Sequence, residues 1–187
     1  PAQVLGPKVP STAKKGKKNK RKKTKPPEPV LAEPTGPCLN EDIVVTPAVT
    51  AVPGGSDVAI TLNLRTRETP ACTWTASSES ITATITSGKD HIWSTRECPA
   101  AIAPQDVVVR QEVDAPVVLT WSTRRSEPKC GSPSADWAKL GWYHIEAAAW
   151  AGEPTDVQFE LVAPSAPVVT KTADPKPQKQ KGKKGKK

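Results

Sequence analysis

"SDVAITLNLRT" (residues 56–66) sets Val58, Ile60, Leu62 and Leu64 on one side of the chain and Ala59, Thr61, Asn63 and Arg65 on the other. A repeat of two is the period of a β-strand with one face buried, whereas a helical turn would scatter those four aliphatic side chains around its axis. The same alternation recurs downstream of this stretch. "ESITATIT" turns Ile81, Ala83 and Ile85 inward, and "QDVVVRQEV", "PVVLTWST" and "TDVQFELV" do the same with Val107/Val109, Val117/Leu119/Trp121 and Val157/Phe159/Leu161. Turn-forming clusters separate them: "PGGSD" (53–57), "SGKD" (87–90), "DAP" (114–116) and "GEPTD" (152–156). No segment has the period of an amphipathic helix. About eight or nine short strands punctuated in this way predict an all-β, antiparallel, immunoglobulin-like β-sandwich. "DWAKLGWYHIEAAA" adds the Asp-x-x-x-x-Gly-x-Tyr pattern of a tyrosine corner, in which Tyr143 bonds to backbone just upstream; the alternative is that Tyr143 is only a core aromatic.

Charge divides the chain into three. The 187 residues carry 27 Lys/Arg and 19 Asp/Glu, but residues 1–37 alone are +8, residues 164–187 are +7, and residues 38–163 are −7. The first segment holds "KKGKKNKRKKTK" (14–25), with nine cations at Lys14, Lys15, Lys17, Lys18, Lys20, Arg21, Lys22, Lys23 and Lys25, and prolines on either side. The last segment ends in Lys181, Lys183, Lys184, Lys186 and Lys187 with Gly182 and Gly185 as spacers. Neither shows an apolar period that could build a core, so both are expected to be disordered tails flanking one domain at 38–163.

All four cysteines, Cys38, Cys72, Cys98 and Cys130, fall inside that domain. They form no Cys-x-x-Cys pair and have no histidine at a zinc-binding spacing, so disulfides are expected, with no metal and no cofactor. Of the three possible pairings, Cys38–Cys72 with Cys98–Cys130 is preferred, because each staples a loop or chain end to a nearby region without crossing the other. Disulfides persist in oxidising compartments, which predicts an extracellular or cell-surface protein. The chain has no methionine, so a membrane or signal segment is expected upstream of Pro1.

"GPCLNEDI", "ACTWT", "SGKDHIWSTRECP", "QDVVVR", "RRSEPKC" and "DWAKLGWYHIEAAAWAGEPTDVQFELV" together resemble a group of exported, membrane-anchored actinobacterial proteins of unknown function. The resemblance covers roughly residues 36–163. It implies a cysteine-stapled β-rich domain outside the cell and carries over no catalytic residue. Linkers in that group are more often rich in Thr and Pro than in Lys.

Enzymatic chemistry finds little support in the residue types. Only His91 and His144 are available as neutral-pH bases, and neither lies in a Gly-x-Ser-x-Gly, His-x-x-x-His or phosphate-loop pattern. His91, in "KDHIW", reads as a solvated loop residue. His144 shares a strand face with more interesting neighbours: in "GWYHIEAAAW", Tyr143, Ile145, Ala147 and Ala149 point one way and Trp142, His144, Glu146, Ala148 and Trp150 the other. If the first set is core, Trp142 and Trp150 stand on an outer face about 26 Å apart, where indoles could stack on sugars or receive a protein. The competing reading is that a loop or tail covers them. Trp121 reads as core, Trp74 as packing near the Cys72 disulfide, and Trp93 and Trp137 are left unassigned.

The expected function is an extracellular binding module of the bacterial cell surface, monomeric, with its tails tethering it to anionic envelope polymers or lipid head groups. A surface protein or glycan is the expected ligand of the Trp142/Trp150 face, and nucleic acid is expected to bind only non-specifically. The alternative is a basic-tailed nucleic-acid-binding protein with free thiols, or an enzyme.

Overall fold

The computed structural model describes residues 30–164; the lysine runs at 14–25 and 171–187, and with them every candidate polyanion-binding residue, lie outside the described residues. Ten strands follow in order: β1 (Ile43–Ala48), β2 (Ala51–Pro53), β3 (Val58–Thr66), β4 (Ala71–Ala76), β5 (Ile81–Ser87), β6 (Asp90–Ser94), β7 (Gln105–Arg110), β8 (Ala115–Trp121), β9 (Gly141–Ala149) and β10 (Thr155–Val162). Among the described residues there is no α-helix, only two three-residue 3-10 turns at Asn40–Asp42 and Pro99–Ala101.

The strands form a three-stranded sheet in the order β1-β3-β8, a five-stranded sheet in the order β2-β10-β9-β5-β6, and a separate β4-β7 pair. All pairings are antiparallel except β2 with β10. The first strand divides itself between the sheets: β1 pairs with β3, and β2, three residues on, pairs in parallel with the last strand. This order is compatible with the immunoglobulin-like sandwich expected from the sequence. Proline obeys the same plan, since Pro47, Pro53 and Pro116 stand in β1, β2 and β8, which are edge strands that do not need every N–H.

The alternating residues meet where the two sheets face each other. Val58, Ile60, Leu62 and Leu64 of β3, Ile81, Ala83 and Ile85 of β5, and Tyr143, Ile145, Ala147 and Ala149 of β9 are all buried, as the period of two requires. Three aromatics join the sheets directly. Trp121 of β8 lies 6.1 Å from the ring of Tyr143 in β9 and 6.1 Å from that of Phe159 in β10, and Tyr143 stacks on Phe159 at 5.7 Å. The Trp121 indole donates to the carbonyl of Arg124 at 3.0 Å, and the Tyr143 hydroxyl donates to the carbonyl of Lys139. The upstream backbone bond expected of Tyr143 is therefore present, and burial raises the Tyr143 pKa.

Both preferred disulfides are formed, Cys38 with Cys72 and Cys98 with Cys130. Ahead of the first, Thr35, Gly36 and Pro37, which the sequence places in the tail, run beside β4: Thr35 N–H donates to Ala71 O at 3.2 Å and Thr73 N–H to Gly36 O at 2.8 Å. Two local expectations change. His91 lies in β6 rather than in a loop, and Trp93, whose phase the sequence leaves ambiguous, is fully buried because a register shift between Ile85 and Thr86 resets the β5–β6 pairing.

One carboxylate caps three backbone N–H groups of the β3–β4 turn. Asp42 accepts the N–H groups of Arg67 at 2.9 Å, Glu68 at 2.7 Å and Thr69 at 3.2 Å. Burial pushes its pKa up, but the hydrogen bonds from Thr69, Glu68 and Arg67 outweigh that and hold it below its ordinary value. A depressed folded-state pKa means that the unfolded chain binds more protons. The stabilisation is thus complete above the ordinary aspartate range and is lost as pH falls through the folded value. Asp42→Ala is expected to cost about 1–2 kcal/mol at pH 7, read as a shifted urea midpoint, and to flatten the fall in stability below about pH 4.

Candidate functional site

The outer face of the five-stranded sheet is where the sequence places its candidate ligand residues. Pairing registers Trp142 opposite Glu160, His144 between Thr86 and Gln158, and Glu146 between Thr84 and Asp156. Because each pair shares a side of the pleat, these residues form a grid on one surface. Together with Gly88 of the β5–β6 turn, Thr84, Thr86, Trp142, His144, Glu146, Asp156 and Gln158 line an open concavity of about 650 Å³. Gly88, at φ +60°, takes a left-handed turn conformation that favours glycine.

Trp142 stands at one end of the grid with 57% of its surface exposed. Its backbone carbonyl accepts a bond from Ser87 Oγ at 3.0 Å, which fixes the strand there without covering the ring. His144 Nδ1 lies 2.8 Å from Asp156 Oδ2. A carboxylate only accepts, so Nδ1 donates to Asp156. The face thus offers one indole platform, one oriented imidazole, two carboxylates on opposed strands, an amide and two hydroxyls. This inventory suits hydrogen bonding to a polyhydroxylated or polar ligand lying across the strands.

The structure unites Trp142, His144 and Glu146 but separates Trp150 from them. Trp150 falls just beyond β9, in the turn to β10, with its N–H donating to Ser80 O at 2.8 Å. It is 55% exposed yet does not line the concavity, because the strand ends at Ala149 before its alternation reaches the indole. Asp156, Gln158, Thr84 and Thr86 were not singled out by the sequence. Their own alternation marks them as outward, but only the pairing register shows that they flank His144 and Glu146.

Two other polar clusters are internally matched. Beside Trp137, Arg125 makes a bidentate pair with Asp90 at 2.8 Å for each contact, and the Arg124 guanidinium lies 3.6 Å above the Trp137 ring. The Arg125 hydrogen bond lowers the Asp90 pKa, and Asp90 raises that of Arg125. At the second cluster, Glu97 Oε2 is shared by His91 Nε2 at 2.9 Å, Ser94 Oγ at 2.9 Å and Ser126 Oγ at 2.5 Å. Burial raises the Glu97 pKa, but bonds from Ser126, His91 and Ser94 outweigh it and leave the carboxylate below its usual range. Serine, histidine and carboxylate are in contact here in the wrong order for nucleophilic catalysis. Both hydroxyls donate to the carboxylate and the histidine does not bridge them, so the cluster fastens β6 to the chain after β8. Among the described residues no group of three His, Cys, Asp or Glu side chains could hold a metal ion, and no helix is long and apolar enough to cross a membrane.

No family model matches the chain, and no curated protein does. Among solved structures, a β-glucosidase from Listeria innocua, crystallised in complex with isofagomine, aligns at a TM-score of 0.37 and 7% identity, over 64% of this chain and 16% of that one. The match spans a small part of the enzyme's length, and at that score it assigns neither a fold family nor an activity. The two disulfides point to an oxidising compartment.

Proposed function

We propose that this protein is an exported binding module of a bacterial cell surface. In this reading the grid around Trp142 receives an envelope glycan, and the lysine-rich segments hold the domain near anionic polymers or lipid head groups. The observation that carries the glycan half is the exposed Trp142 ring at the edge of a concave polar grid, with His144 and Glu146 on β9 directly opposite Gln158 and Asp156 on β10. Sugars present an apolar ring face and a rim of hydroxyls, and this grid offers an indole beside acceptors and donors. The tethering half is supported by the charge division, +8 and +7 in the terminal segments against −7 between them. Export is supported by the disulfides.

Salt separates the two halves. At low ionic strength the full chain should bind double-stranded DNA, anionic vesicles and isolated cell-wall polymer alike. For DNA, engaging six cations would give a log–log salt slope of about −5, and neutralising the cations of residues 14–25 should flatten it. At about 0.5 M salt those contacts are screened, and retention on cell-wall glycan should persist and weaken about tenfold on Trp142→Ala, the equivalent of ~1.4 kcal/mol. Retention that disappears with salt and ignores Trp142 would leave only the electrostatic half.

A further inference from the structure

The face around Trp142 is acidic in a chain whose ends are basic. The five strands β2, β5, β6, β9 and β10 contain no lysine or arginine, while Glu146, Asp156 and Glu160 stand on the same surface as Trp142. Lys89 and Lys139 lie in the connections at the Trp142 end of these strands and line none of the concavity. An exposed indole opposite Glu160, with Glu146 and Asp156 further along strands that carry no lysine or arginine, is complementary to an ammonium group, through both Coulomb attraction and the ring's quadrupole.

The chain carries such a ligand next to the face. β10 ends at Val162, and in the β9–β10 ladder Glu160 is the partner of Trp142, so the C-terminal segment departs within two residues of the Trp142 row. Residues 165–187 hold eight lysines against Asp174. They could span up to about 75 Å, whereas β9 is about 30 Å long. Reach is therefore ample, and covalent attachment supplies an effective concentration on the order of millimolar.

We propose that the lysine-rich segment at 171–187 docks back on the outer face of β5, β9 and β10, an ammonium group over Trp142 and others at Glu146, Asp156 and Glu160. External polyanions then compete with this face for the same lysines, and the face's external ligand competes with the lysines for Trp142. Each kind of ligand frees the site of the other, so contact with an anionic surface exposes the grid. The proposal rests on the reading of this face as a docking surface, not on which external partner uses it.

The test compares amide spectra of the full chain with those of two variants, one with every lysine of 171–187 replaced by serine and one carrying Glu146→Gln, Asp156→Asn and Glu160→Gln. At low salt the tail variant is expected to shift the amides of Trp142, His144, Gln158 and Glu160 and the Trp142 indole, independently of protein concentration, and about 0.5 M salt is expected to abolish the difference. The carboxylate variant should bind a DNA duplex about threefold more tightly at low salt, as expected if some two-thirds of tails are otherwise engaged. Superimposable spectra, or shifts mapping elsewhere, would overturn the proposal. Shifts that grow with concentration would assign the contact to a second copy's tail and overturn it in this intramolecular form. Glycan retention that needs Trp142 while the spectra superimpose would sink this inference alone; shifts as expected with no glycan retention would sink the glycan reading alone.

Discussion

Replacing Cys98 and Cys130 together by alanine is expected to lower the unfolding free energy by about 4 kcal/mol in the chain-entropy account, since the bridge closes a loop of 32 residues. That is a large share of the roughly 5–15 kcal/mol that holds a domain of this size together. The loss should be concentrated in a defined place. Cys130 lies in the connection between β8 and β9, which has no strand of its own and whose carbonyls at Arg124 and Lys139 receive the Trp121 indole and the Tyr143 hydroxyl. Freeing the connection loosens the anchors of two core aromatics. Guanidinium unfolding without reductant checks the magnitude, and a loss under about 1 kcal/mol would show that the connection is held by its other contacts, chiefly Arg125 with Asp90 and Ser126 with Glu97.

Trp121→Ala should have an effect of comparable size, a loss of about 3–5 kcal/mol. The ring is fully buried and is the three-stranded sheet's part of the aromatic group that includes Tyr143 and Phe159 of the other sheet. Its removal leaves a cavity between layers that cannot close without moving β8, and it leaves the Arg124 carbonyl without its indole donor. Trp121→Phe should recover more than half of the loss, because it restores ring contacts but not the hydrogen bond. Thermal unfolding followed in the near ultraviolet distinguishes these outcomes. Equal losses for Ala and Phe would mean that the hydrogen bond, not the packing, is what matters.

The strands legible in the sequence are those whose apolar residues alternate: β3, β5, β7, β8, β9 and β10. β1, β4 and β6 lacked that clarity for physical reasons. β1 carries Pro47 and lies at an edge, β4 buries Ala71 and Cys72 in succession, and β6 buries Ile92, Trp93 and Ser94 in succession beside a register shift. The disulfide pairing was readable because few non-crossing arrangements join chain ends to nearby regions. The site was half legible. Alternation along β9 presents Trp142, His144 and Glu146 outward, but Asp156, Gln158, Thr84 and Thr86 join them through hydrogen-bonded register between strands distant in sequence. Trp150 shows the converse limit, since alternation carried past the end of a strand points to a face the residue does not reach.

The central claim is that ligand recognition belongs to the β5-β9-β10 face. The most direct measurement is amide hydrogen exchange of the full chain with and without isolated cell-wall glycan, at about 0.5 M salt so that the lysine contacts are screened. The account predicts slowed exchange confined to β9, β10 and the β5–β6 turn around Trp142, and its absence in Trp142→Ala. Protection elsewhere on the domain, or none at this salt while low-salt binding remains strong, would contradict it.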